Sequence, residues 1–391
     1  MSAVVTTTPG QHGIKEHSDG GWGVVPVQTR SERFTSVEPS DFPDVTGFEA
    51  DWKLSPVARL RPLIDGPLDG SSYEYLATLT GGASVGWIPR ADPRVGGAGT
   101  PEEKASANAW KSFTRALAIT VADEGSATIT RSLLGDSPRA GHTIITAEPN
   151  SDGVVVLQNY GSALLSENVE IIVGEGARLT VISVQQWDAE AIHLSSQFAR
   201  VGRDATLKHI VVSLGGSVVR VNPSIHLVDE GADGELFGVY FADAAQHLEQ
   251  RVYVNHVAPN TRSRVNYKGA LNGAGARTVW VGDVLIGPHA AGTDSYEQNR
   301  NLVLSEGTRA DSIPNLEIQT GDIAGAGHAS ATGRFDDEHL FYLQSRGISE
   351  HEARRLVVLG FLTEIIQKIG QGELETRLQA AIELELGGAA A

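Results

Sequence analysis

From about Ile119 to Ile323, apolar and polar residues alternate with a period close to two. Runs such as Ala127–Thr130, Val154–Leu157, Val169–Val173, Leu179–Val184, Leu207–Val212, Leu236–Phe241, Arg251–His256 and Val279–Leu285 are short and rich in β-branched residues. Gly, Asp and Asn separate them, and no helical spacing intervenes, so the pattern predicts strands joined by tight turns. The turns recur. Glu175-Gly176-Ala177, Asp204-Ala205-Thr206 and Gly231-Ala232-Asp233 set Ala177, Ala205 and Ala232 at intervals of 28 and 27 residues, and Asn260-Thr261 continues the series. A period near 28 with a small residue after each turn predicts coils of a parallel β-helix; on pattern alone, an ordinary sandwich with evenly spaced hairpins is the alternative.

The two ends of the chain read differently. Residues 1–30 carry little apolar content and read as a flexible tail. Residues 31–118 read as a mixed, mainly helical region. Ser55-Pro56 predicts one helix start, and Thr100-Pro101-Glu102-Glu103 predicts another running from Pro101 towards Leu117. Gly81-Gly82, Pro89, Pro93 and Gly96-Gly97 predict breaks between them. The β-helix core is placed at 119–333, and 334–391 reads as helical. Asp336 or Asp337 caps a short helix that Gly347 stops. Ser349-x-x-Glu352 opens a longer helix to about Ile369, whose apolar face is read as Ala353, Leu356, Val357, Phe361, Ile365 and Ile369. After Gly370, the positions Leu374, Leu378, Ala381 and Ile382 form another amphipathic stretch. These helices are expected to cap the open end of the solenoid, to dock a partner, or both.

Composition narrows the chemistry. The 391 residues include 31 Lys plus Arg against 48 Asp plus Glu, a formal charge of −17, which argues against nucleic acid or an anionic lipid surface as partner. There is no signal-peptide pattern and no apolar run of spanning length, so a cytoplasmic protein is expected. Cysteine is absent, so no disulfide, thiolate nucleophile or Cys-ligated cluster can be built from this chain alone. Gly273-Ala274-Gly275-Ala276 is not followed by the Lys-Ser/Thr of a phosphate loop, so nucleotide hydrolysis is not expected here. The histidines show no metal-binding spacing; His193, His209, His226, His247, His256 and His289 read as surface or ladder residues.

Three stretches carry a specific resemblance: Asp311-Ser312-Ile313-Pro314-Asn315-Leu316-Glu317-Ile318, Gly321-Asp322-Ile323-Ala324-Gly325-Ala326-Gly327-His328-Ala329-Ser330-Ala331-Thr332-Gly333, and Phe341-Tyr342-Leu343-Gln344-Ser345-Arg346-Gly347-Ile348. With Glu352-Ala353-Arg354-Arg355-Leu356 and Gly360-Phe361-Leu362, the chain resembles the SufB/SufD family of iron–sulfur cluster assembly proteins, its SufD branch most of all. The resemblance implies a right-handed parallel β-helix between N- and C-terminal helical regions. It also implies a SufB-like partner joined through the β-helix, and a SufC-like ABC-type ATPase docked on the C-terminal helices. On this reading the chain is a non-catalytic scaffold subunit. It binds no cofactor tightly alone, and a transient iron–sulfur cluster forms at the partner interface.

The resemblance also nominates residues. His328 matches the histidine placed at the SufB interface, where it would ligate iron together with partner ligands; the plain alternative is a histidine bonded to a nearby carbonyl. Asp322 is a second oxygen ligand or, more simply, a turn residue. Several SufD relatives carry a cysteine two residues before this histidine, where this chain has Ala326. Tyr342, Leu343, Arg346, Leu356 and Phe361 are the expected ATPase-docking positions, with packing onto the end of the β-helix as the alternative. Two other classes stand beside this reading: a polysaccharide-active β-helix enzyme, and a homodimeric scaffold working without SufB.

Overall fold

A computed structural model describes residues 33–334 and 337–388. The tail expected at 1–30 and the cap expected at Asp336 lie outside the described residues. The architecture is a flattened parallel β-helix with helices on its two broad faces. A short helix α1 (Val57–Ile64) precedes strand β1 (Leu76–Pro89); helix α2 (Lys104–Ser112) then leads into β2 (Arg115–Arg131). The coils follow as β3 (Gly135–Ala147), β4 (Asp152–Gly161), β5 (Ala163–Val173), β6 (Arg178–Trp187), β7 (Ile192–Val201), β8 (Thr206–Ser213) and β9 (Val218–Leu227). They continue as β10 (Asp233–Ala242), β11 (His247–His256), β12 (Arg262–Leu271), β13 (Arg277–Ile286), β14 (Thr293–Val303), β15 (Arg309–Ile318) and β16 (Ile323–Arg334). Even-numbered strands from β4 stack into one parallel sheet and odd-numbered strands from β3 into the other, so each coil gives one strand to each face.

The repeat read from the sequence is the coil. Arg178, Thr206, Asp233, Arg262 and Asp294 are successive ladder partners, at steps of 28, 27, 29 and 32 residues. At one corner, six successive coils turn through a left-handed residue: Asn150, Gly176, Asp204, Gly231, Asn260 and Gly292. Most of their N–H groups bond to the coil above, as Gly176 does to the Arg203 carbonyl at 2.8 Å. Gly, Asn and Asp are the residues that tolerate this conformation. Ala177, Ala205 and Ala232 follow directly and are fully buried, which explains the small residue after each turn.

Strand β2 joins the two sheets. Leu117–Val121 pairs with β3, Glu124–Arg131 pairs with β4, and the bend between them falls at left-handed Asp123. Strand β1 runs antiparallel along β2 and bulges between Gly81 and Ala83, so the Gly81-Gly82 pair expected to break the chain is instead the bulge that lets β1 follow the bend. Helix α2 is shorter than the expected span from Pro101 to Leu117. The two carboxylates at its expected start are drawn to the odd sheet: Glu102 accepts from the Ser224 hydroxyl at 2.6 Å, and Glu103 pairs with Arg220 at 2.8 Å.

The inner core is lined by inward residues of both sheets, among them Val155, Leu165, Val181, Leu207, Val221, Leu236 and Val254. The outer faces are also apolar, because each is covered. On the odd sheet, Trp52, Leu60, Leu63 and Ile64 pack against Leu194 and Val218, and Trp110 and Phe113 pack against Ile144 and Phe198. On the even sheet, helix α4 (Glu350–Ile366) and helix α5 (Gly372–Gly388) cover Ile182, Val184, Ile210, Val212, Phe237 and Val239. Burial on both sides is why strands such as β6 carry apolar residues at outward positions, Ile182 and Val184, as well as at inward ones. Ser349 caps α4 by accepting from the Glu352 N–H, and Gly347 and Gly370 turn through left-handed backbone, as the sequence implied.

The structure corrects two expectations. The C-terminal helices lie along the broad even face and do not cap the end of the solenoid. The buried stripe of α4 is Ala353, Val358, Leu362, Ile365 and Ile366, so Leu356 points outward and is 40% exposed. Apolar residues run almost all round this helix, so spacing alone does not fix its rotation. Lys268 of β12 does: it lies over the Phe361 ring at 4.7 Å and pairs with Glu364.

Candidate functional site

The two ends of the solenoid are finished in opposite ways. At the first coil, β1 covers the free edge of β2, and Tyr73 and Trp87 pack edge to face over the core at 5.0 Å between ring centroids. At the last coil, among the described residues no strand pairs with the outer edge of β15 or of β16. Helix α3 (Asp337–Ser345) packs on α4 and leaves these edges open. Unpaired edges present a row of free N–H and C=O groups, and proteins usually blunt them with charge, proline or a bulge. β15 carries Arg309, Asp311, Pro314 and Glu317, but Ala324–Ala331 of β16 has neither a charge nor a proline.

His328 lies on this edge strand and is exposed. In register it stands over Glu297 of β14, as Ala326 stands over Ser295, Ser330 over Asn299 and Thr332 over Asn301. Ladder partners in a parallel sheet share a face. Ala326 packs on the inner core and Thr332 meets Asn301, so the row containing His328 faces the bore. Asp322 is exposed in the turn before β16; its carbonyl accepts from the Gly292 N–H at 2.9 Å, which is a turn role.

Beneath this edge, the interior changes character. Thr293, Ser295, Glu297, Asn299 and Asn301 alternate along β14 and are all buried. The amides are well served: Asn299 Nδ2 donates to the Tyr240 hydroxyl at 2.8 Å, that hydroxyl donates to Asn301 Oδ1 at 2.7 Å, and the Ser312 hydroxyl donates to Asn299 Oδ1 at 2.6 Å. Glu297 is the exception. It is 1% exposed, and among the described residues neither oxygen finds a hydrogen-bond donor in ordinary geometry. It reaches towards β13 at Gly282, where an added methyl would collide with Oε2. Pro314 sits over Gly282 in the ladder and has no N–H to offer. Burial, with the nearby Asp283 charge, pushes the Glu297 carboxyl up to about 8; the Asn315 N–H opposes this only weakly.

The closed end holds its buried charges differently. Arg131 clamps Glu167 with two hydrogen bonds, at 2.6 and 3.0 Å, and donates to Asn159 Oδ1 at 2.8 Å. His193 Nε2 donates to the same carboxylate at 2.9 Å, while its Nδ1 accepts from Trp187 Nε1 at 3.2 Å. Burial alone would raise the Glu167 carboxyl, but Arg131 and His193 hold it well below the usual range; burial keeps His193 itself neutral. One inward row links the two ends through successive partners Arg131, Asn159, Gln185, Ser213, Tyr240, Gly269, Asn301 and Thr332. His193, His209 and His256 are ladder residues sealed inside the bore, and the surface alternative does not hold for them.

The expected docking residues separate into two groups. Tyr342 is 55% exposed and carries the Arg346 guanidinium over its ring at 4.9 Å; Leu343 is half-buried and Leu356 points outward. Phe361 is half-buried against Lys268 and belongs to the seat of α4 on β12. Phe341, beside Tyr342, is 72% exposed, and nothing in the spacing singles it out from the sequence. Glu297, Arg131 and Glu167 also escape a reading of the sequence, although the alternation of polar residues from Thr293 to Asn301 is visible there. Among the described residues, no three His, Asp or Glu side chains gather as a metal site, and no helix is long and apolar enough to cross a membrane.

Comparison with known proteins gives a consistent answer. The family described as "SUF system FeS cluster assembly, SufBD core domain" matches residues 131–361. An iron-sulfur cluster assembly SufBD family protein of Mycobacterium tuberculosis (strain H37Rv) is 46% identical over 375 residues, covering 92% of this chain and 94% of that protein. One from Mycobacterium leprae is 47% identical over 365 residues, covering 90% and 93%. A second SufBD family protein of the same M. tuberculosis strain is 33% identical over 227 residues, 58% of this chain and 26% of that longer protein.

Proposed function

The chain belongs to the SufBD family of iron–sulfur cluster assembly proteins, and from that premise we propose that it is a SufD-like, non-catalytic scaffold subunit working in the cytoplasm. Its open end joins a cysteine-bearing, SufB-like partner. The observation that carries this reading is the asymmetry of the solenoid: one end is closed by β1, while at the other two strand edges have no strand partner among the described residues, one of them uncharged and bearing His328. A partner strand can add to such an edge through backbone hydrogen bonds. The lack of cysteine supports a shared site, since thiolates for a cluster must then come from the other subunit. The presence of two different SufBD family proteins in one M. tuberculosis strain fits a pair of unlike subunits.

The outward residues Tyr342, Leu343, Arg346 and Leu356 are the proposed seat of a SufC-like ATPase. An exposed aromatic, a guanidinium and aliphatics on neighbouring helices are typical anchor chemistry. Nucleotide-driven movement of that ATPase would then be passed through α4 and its Lys268 and Phe361 contacts to the even sheet, and so to the open end.

Co-purification with the two proposed partners tests this. Deleting residues 336–386 is a poor probe, because it would uncover the apolar face beneath α4 and α5. Tyr342→Ala with Leu356→Asp should abolish ATPase capture and spare the SufB-like partner, whereas Ala329→Lys at the edge should do the reverse. A chain that forms only homodimers under these conditions would instead support the homodimeric scaffold.

A further inference from the structure

We infer that the closed end carries a binding site of its own: a pocket beside β1 that takes a small organic cation, an ammonium group on an aromatic or apolar body. The pocket lies at the end of the solenoid opposite to the one assigned to the partner, and it does not depend on that assignment.

The ladder between β1 and β2 ends where Leu76 meets Thr130. The residues that lead into β1 and those that leave β2 frame a cavity of about 450 Å³ at that point. Because β1 follows the bend of β2, Trp87 from its far arm returns to the cavity. Its ring meets Tyr73 at 5.0 Å and Tyr75 at 6.1 Å between centroids. The three rings pack edge to face, so they make a continuous aromatic wall. Leu76 and Leu133 stand at the rim, 73% and 74% exposed, and leave the wall open to solvent. A cavity of this size, lined by aromatic and aliphatic groups with a few polar ones, is the usual form of a small-molecule site.

Charge then selects the ligand. Glu74 is the single charged side chain on the lining. It is exposed, and among the described residues it has no hydrogen bond or ion pair. Arg131 lies on the bore side of Tyr73, 5.6 Å from the ring centroid. Its donors are committed to Glu167, Asn159 and the Tyr73 hydroxyl. Among the described residues no Lys or Arg lies over Tyr75 or Trp87, so these two rings are the ones open to a cation. An ammonium is drawn to aromatic faces beside an unpaired carboxylate, and a ring or alkyl body can pack along the wall. An anionic ligand would meet Glu74 and the field of a chain with a formal charge of −17, which disfavours phosphate-bearing molecules here.

Three probes of similar shape test this: phenethylamine, 2-phenylethanol and 3-phenylpropionate, which put a positive, a neutral and a negative head on the same ring. Each is titrated into the full chain while the indole N–H resonances are followed by NMR, with that of Trp87 assigned through Trp87→Phe. The Trp87 resonance should shift, with affinity falling in the order amine, alcohol, carboxylate. The amine should bind about two- to fivefold more tightly than the alcohol. Glu74→Gln should remove that advantage and leave the alcohol unchanged, whereas Leu133→Ser should weaken amine and alcohol alike. Both changes fall at exposed positions, so the fold is kept. A Trp87 resonance that does not move with the amine up to about 10 mM overturns the inference. So does an alcohol or carboxylate that binds as tightly as the amine, or an amine preference that survives Glu74→Gln.

Discussion

Two buried glutamates mark the two ends of the solenoid, and they are treated in opposite ways. Glu167 lies under the closed end with two hydrogen bonds from Arg131 and one from His193, and it is held ionised. Glu297 lies under the open end with no comparable partner, and burial favours its neutral form. The same coil architecture surrounds both. The difference teaches that the closed end neutralises its buried glutamate with charges from its own coils, whereas among the described residues the open end offers Glu297 no such partner. A finished end serves stability, and an unfinished one makes sense as a surface for something to be added.

The largest expected effect breaks the closed end. Arg131→Met leaves Glu167 buried without its main countercharge, which should cost roughly 3–5 kcal/mol in chemical denaturation. The double variant Arg131→Met with Glu167→Leu should recover much of that loss. If the single variant is as stable as the wild type, the closed end is not held by this clamp.

A second test compares the buried and outward sides of α4. Leu362→Ala removes a fully buried side chain from the even face and should cost about 2–4 kcal/mol. Leu356→Ala should change stability by less than about 0.5 kcal/mol. Similar losses at both positions would mean that α4 presents a different face to the even sheet.

A smaller effect is expected in acid. Burial lowers His209 to about 4 and His256 to about 3. Both are therefore neutral in the folded chain where the unfolded chain, with an ordinary value near 6.5, takes up protons. Their contribution is complete above pH ~6.5 and is lost as pH falls towards the folded values, at up to about 1.4 kcal/mol per unit for each histidine. His209→Gln should flatten the curve of stability against pH between about 6.5 and 4. An unchanged slope would contradict the sealed bore.

Much of the solenoid is legible in the chain, and the exceptions have physical reasons. The corner alanines Ala177, Ala205 and Ala232 announce the coil because a left-handed turn followed by a packed corner tolerates few residues. β7 escapes the pattern because its inward positions His193, Ser195 and Gln197 are polar, so the alternation lacks apolar contrast. β12 escapes it because its outward positions Arg262, Arg264, Asn266 and Lys268 are polar and only Val265 and Tyr267 supply apolar inward contrast. β1 is hidden by Gly81-Gly82, a bulge that reads locally as a break. The rim histidine is legible only through the family resemblance. Glu297 is recognised as an unsatisfied group only once the coils are stacked, because what distinguishes it is the absence of partners on neighbouring rungs.

Hydrogen–deuterium exchange read by mass spectrometry tests the central contrast most directly. In the free chain, amides of 309–318 and 323–334 should exchange much faster than those of the inner coils. On addition of the cysteine-bearing partner, these two segments should become protected, while the β1 end stays unchanged. If a stable complex forms and the 309–318 and 323–334 amides still exchange at the free rate, with protection at β1 instead, the open end is not the surface that this family member shares.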